Sequence, residues 1–168
     1  MANFYTRFSF GISTNTSAEK DFLLNMGRFI EDVVDEPVGD RPSYSLGDFD
    51  LELTPAEERM LLAFTATGIS VEEIQHLDLP AVVVFADEDG NVEAAAAIVS
   101  MFLNRFALDK CVTFTWSKSC DAPRINEFGG GACIVSAIGT KYVTTDELVD
   151  KLLLEYNASA DSVRNYGG

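Results

Sequence analysis

Positive charge is scarce in this chain, and scarcest where negative charge is densest. No Lys or Arg occurs between Arg59 and Arg105, a stretch that carries Glu72, Glu73, Asp78, Asp87, Glu88, Asp89 and Glu93. Residues 31–58 hold ten carboxylates against one cation, Arg41. With 12 Lys and Arg against 27 Asp and Glu, the formal net charge is -15. Binding to DNA, RNA or an anionic membrane needs a cationic stripe, and none is written here. The charge attracts basic partners instead.

Other absences narrow the class further. No run of about 18 apolar residues is present, so no membrane-spanning helix is expected. The start, MANFYTRFSF, lacks a cationic segment followed by a long apolar one, so no signal peptide is expected. Cys111, Cys120 and Cys133 form an odd, widely spaced set that fits a reducing, cytoplasmic setting better than a disulfide framework. His76 is the lone histidine, and without a C-x2-C pair a zinc site has weak support. No cofactor or metal is expected. No repeat is found.

The chain is not a disordered acidic tail. It is 47% apolar with 12 Phe, and at 168 residues one domain can bury ~70% of the surface its unfolded chain exposes. Helix starts at Thr16–Glu19, Thr54–Glu57, Ser70–Glu73 and Thr144–Glu147 share one grammar, a hydroxyl at the N-cap and Glu three residues on. Apolar stripes predict helices over 17–34 (Phe22, Leu23, Met26, Phe29, Ile30, Val33), over 91–107 and near the C-terminus (Leu148, Val149, Leu152, Leu153, Tyr156). Shorter helices are expected at 55–66 and 70–77.

Period-two alternation predicts strands through Phe4–Ile12 and Val112–Ser117, and an apolar run predicts a central strand over Ala81–Phe85. Cys133–Ile138 follows three glycines, with Tyr142-Val143 pairing back. Asp48–Leu53 alternates strictly and reads as an edge strand. The whole is an α+β domain over 1–156, a mixed, mainly antiparallel sheet with helices on one face, and a frayed tail over 157–168.

If 48–53 is a strand, Asp48, Asp50 and Glu52 project to one side about 6.6–6.8 Å apart, near the phosphate spacing of a nucleic-acid strand. With Asp32, Asp35, Glu36, Glu57, Glu58, Asp87 and Asp89 they form a candidate face for a basic, nucleic-acid-binding protein. Tyr44 and Phe49 would be its apolar edge. The plainer reading is an edge strand protected by charge. Asp87–Glu93 resembles a calcium loop only loosely, and a strand-to-helix turn capped by Asn91 accounts for it.

A second candidate is the loop over 116–131. Lys118, Arg124 and the backbone of Gly129, Gly130 and Gly131 would hold an anionic small ligand or nucleotide there. Cys120 lies between the two cations, which favours a thiolate, and a nucleophilic pair with His76 would need the two to meet in space. The plainer reading is a glycine bulge.

The pattern W-x3-C-x2-P-R-x3-F-G-G-G-A at Trp116–Ala132, after a D-G-N turn and an amphipathic helix, resembles a group of small acidic, uncharacterised proteins of phages and conjugative elements. The resemblance spans about residues 80–135. It implies a setting in which small acidic proteins block host defences, several of them by mimicking DNA. No catalytic residue is carried over. The expectation is a non-enzymatic inhibitor of a basic host protein, with an anion-binding protein and a homo-oligomer, such as a homodimer, as the other readings.

Overall fold

The computed structural model describes residues 3–74, 81–106, 109–121 and 128–165. In order they form β1 (Phe4–Ser13), α1 (Ser17–Phe29), α2 (Pro55–Ala63), β2 (Ser70–Ile74), β3 (Ala81–Ala86), α3 (Val92–Phe106), β4 (Cys111–Cys120), β5 (Gly129–Ser136), β6 (Gly139–Thr144) and α4 (Thr145–Asn165). The strands make one six-stranded antiparallel sheet in the order β2-β3-β1-β4-β5-β6. This is a single α+β domain. Among the described residues no helix is long and apolar enough to cross a membrane.

Register decides what each face carries. Phe8, Phe10 and Ile12 of β1 stand opposite Ala86, Val84 and Val82 of β3, and Phe8 opposite Trp116 of β4. Phe114 then meets Cys133, and all of these side chains are buried. Phe10 stacks on Phe114 with centroids 4.2 Å apart and planes 9° from parallel. Helices α1 and α3 cover this row. Leu23, Met26, Phe29, Ile98 and Val99 are fully buried, each contributing about 1.5–3 kcal/mol of transfer free energy.

Among the described residues, nothing covers the other face in this way. A Cβ added to Gly11, in mid-β1, would meet nothing within 4 Å. Thr113, Thr115, Ile134 and Val143 on that side are exposed.

The capping grammar holds at three of its four sites. Thr54 and Glu57 exchange side-chain-to-backbone bonds at 2.7 and 3.3 Å, and Thr144 and Glu147 do so at 2.8 and 3.2 Å. Thr16 caps α1, but Glu19 reaches one residue beyond the cap to accept from Asn15 N at 2.6 Å. The fourth site is a correction: residues 70–74 are β2, not the start of a helix over 70–77. Val71 pairs with Val84 and packs on Gly27 of α1, and this sheet edge outweighs a local cap.

Residues 48–53 are a second correction. Leu46–Phe49 is a 3-10 turn closed by a Ser45–Asp48 capping box, and Asp50 is left-handed at φ 52°. Asp tolerates that conformation because its short polar side chain bonds locally. Phe49 and Leu51 are both buried, so the alternation is real, but a turn produces it. Two further boundaries move: α1 passes into a π-helical turn at Ile30–Val34, and α4 continues to Asn165 through residues expected in the tail.

Gly27 sets the distance between α1 and β2, since an added Cβ would lie 2.6 Å from Val71 Cβ. Overpacking of this kind costs about 1–3 kcal/mol, while Ala for Gly in a helix returns about 1 kcal/mol. Gly27→Ala should therefore lower unfolding stability by about 1 kcal/mol in urea titration, and adding Val71→Ala should not rescue it, because alanine keeps the Cβ that lies in the way.

Candidate functional site

The acidic segment wraps the C-terminal end of α1, and Arg41 holds it there. Its guanidinium donates to the carbonyls of Val34, Leu62, Phe64 and Glu36 at 3.0–3.4 Å. These include carbonyls at the C-terminal ends of the π turn and α2, where a cation also meets the negative end of the helix dipole. The other arginines with assigned contacts are used in similar ways. Arg7 donates to Asp87 O at 2.6 Å and lies over the Tyr5 ring. Arg105 donates to Glu52 O and lies over Phe22, and Arg28 lies over Phe49. Within the sheet and its covering helices, one ion pair forms among the described residues, Lys20 to Glu73 at 2.9 Å. The hydrogen bond to Glu73 holds the Lys20 pKa above its usual value.

The carboxylates of the candidate face divide into two groups. Asp35 accepts from Thr67 N and Oγ1 at 2.6 and 3.1 Å, fixing the loop after α2. Asp48 and Glu57 close capping boxes, and Glu58 accepts from Tyr44 Oη at 2.8 Å. That bond and burial, burial foremost, raise the Tyr44 pKa. These four build the fold. Asp32, Glu36, Asp50, Glu52, Asp87 and Asp89 are exposed. The ladder of Asp48, Asp50 and Glu52 does not exist, because no strand is present to space it. Nor is Phe49 an apolar edge for a partner: it is 7% exposed and packs against Phe29 with centroids 5.3 Å apart.

Asp87–Asp89 is the expected turn. Asn91 Oδ1 accepts from Ala94 N at 2.9 Å, capping α3. Thr6 N donates to Glu88 O, and Gly90 N to Thr6 O, lacing the turn to β1.

On both sides of residues 122–127 the described part of the glycine segment is strand rather than loop. Lys118 and Cys120 belong to β4, and Gly129, Gly130 and Gly131 open β5 rather than preceding it. Gly130 has φ +156°, and an added Cβ would strike the Trp116 carbonyl. Glycine is required there by close strand approach. A cavity of about 400 Å³ lies at this end of the sheet, lined by Phe4, Lys118, Phe128, Gly130, Thr145 and Asp146. Its backbone donors are largely occupied: Gly130 N donates to Thr145 Oγ1 at 3.2 Å, and Thr144 N to Glu147 at 2.8 Å. Cys120 is buried at the end of β4, not set in a polar loop. Arg124 and His76 lie outside the described residues, as does any pairing of His76 with a cysteine. Among the described residues no group of three or more His, Cys, Asp and Glu could hold a metal.

The apolar stripe that predicts α4 lies outside the core. Leu148, Val149, Leu152, Leu153 and Leu154 are 50–71% exposed. Periodicity reports that a helix has an apolar face, not which molecule covers it.

No family model, no curated protein and no solved structure matches this chain.

Burial pushes the Cys133 thiol from 9.0 up to about 11. Below pH 9 the thiol is neutral in both folded and unfolded chains. Above it the unfolded thiol ionises first, so stability falls as pH rises from about 9 to 11. Cys133→Ala should flatten that part of the stability-against-pH curve. At pH 8 the exposed Cys111 should react with a thiol reagent and Cys133 should not until the chain unfolds.

Proposed function

We propose that this chain is an acidic interaction protein that occupies a cationic, nucleic-acid-binding surface on another protein. The resemblance to small acidic phage and conjugative-element proteins implies a partner among host defence proteins. The observation that carries the reading is the use of the cations. Arg7, Arg41 and Arg105 donate to backbone carbonyls, and among the described residues no carboxylate of 31–58 is held in an ion pair within the sheet and its covering helices. A surface field of one sign speeds encounter with the opposite sign and excludes polyanions.

Asp32, Glu36, Asp50, Glu52, Asp87 and Asp89 supply the field in this account. Asp35, Asp48, Glu57 and Glu58 supply the scaffold that positions it. The anion-binding reading is the weaker one, because the donors an anion would need at Gly130 and Thr144 already have acceptors.

The test is capture from nuclease-treated host lysate, with elution in rising salt and competition by duplex DNA. The expected catch is a basic nucleic-acid-binding protein that duplex DNA displaces. Asp32→Lys, Glu36→Lys and Glu52→Lys together should weaken that binding by about tenfold or more without changing the far-ultraviolet circular dichroism. Unchanged affinity in the triple variant, or partners that duplex DNA does not displace, would refute the proposal.

A further inference from the structure

We infer that a second copy of this chain covers the open face of the sheet, each copy laying its α4 into the other's groove. The inference does not depend on the proposed function. It starts from two apolar surfaces that nothing in the described chain covers. One is a groove of about 540 Å³ on the helix-free face, lined by Thr113, Thr115, Ala132, Ile134, Lys141 and Val143. The other is the exposed stripe of α4, Leu148, Val149, Leu152 and Leu153. Exposed apolar surface of this extent marks a contact.

The helix is held away from its own groove. Thr144 is both the last residue of β6 and the N-cap of α4. Thr145 Oγ1 is tied to Gly130, accepting from its N at 3.2 Å and donating to its O at 3.4 Å. No loop separates strand from helix, so folding α4 back over its own sheet would break the cap and this anchor. In a second copy the same helix arrives without that cost.

Size and charge agree. A helix of 21 residues is about 31 Å long at ~1.5 Å per residue. Six strands spaced ~4.8 Å apart are about 24 Å across, so α4 can bridge the sheet. Asp146, Glu147, Asp150 and Glu155 outnumber Lys151 on its described part. The groove has Lys141 on its wall and Arg7 lies on the same face of the sheet, while Glu72 shares that face only at the far edge, on β2. Acid-edged helix therefore meets cation-edged groove, while repulsion between the two net charges is screened beyond ~8 Å at physiological salt. Reciprocal insertion is isologous and closes at two copies.

Light scattering coupled to size exclusion, on the full chain, tests this. Wild type should have the mass of a dimer. Leu152→Asp on the helix and Ile134→Asp in the groove should each give a monomer, as should Thr115→Glu, a milder groove change at an already exposed position. An equimolar mixture of Leu152→Asp with Thr115→Glu should regain dimer, because one helix–groove contact is then intact. A monomeric wild type overturns the inference, whatever it binds. So does a dimer lost in Leu152→Asp but unaffected by Ile134→Asp and Thr115→Glu, since that is α4 pairing with α4.

Discussion

An antiparallel sheet covered by helices on one face must leave the other to water or to another molecule. In this domain the covered face takes Phe8, Phe10, Ile12, Val82, Val84, Phe114 and Trp116 into one aromatic-rich layer under α1 and α3. The connections follow from that layer. The chain crosses from β1 into α1, returns through α2 and β2 to β3, and crosses again through α3 to β4. The acidic segment over 31–58 is thus a long connection around the end of α1, held by Arg41 and by Asp35, Asp48, Glu57 and Glu58, while its other carboxylates stay exposed.

The same asymmetry explains why α4 differs from the other helices. Its periodicity matches that of α1, yet Leu23 and Met26 are fully buried while Leu152 and Leu153 are more than half exposed. The uncovered face is a place for such a helix, and the short junction at Thr144–Thr145 sends it outward.

Much of the architecture was legible in the sequence because local signals and tertiary packing agreed. The stripe of α1, the alternation of β1 and β4, the caps at Thr54 and Thr144, and the Asn91 turn each have a local cause. Where the two disagreed, tertiary structure won. Ser70–Glu73 has helix-cap grammar, but Val71 pairs with Val84 and packs against Gly27 as part of β2. Asp48–Leu53 alternates like a strand, but Ser45 and Asp48 close a turn around it. For the candidate site, composition located the acidic segment, and only geometry separated Asp35, Asp48, Glu57 and Glu58, which hold the fold, from the exposed carboxylates. Nothing in a single chain's periodicity could say that the leucines of α4 face outward.

The central claim is that this domain is built to be covered, on the open sheet face and along α4. Amide hydrogen exchange across a dilution series measures that cover directly. A lone projecting helix is marginal in water and exchanges quickly. The account predicts that residues 145–155 and β5–β6 are protected at high concentration and lose protection together on dilution. Exchange in α4 that is fast at every concentration, or that is unrelated to exchange in β5–β6, would contradict it.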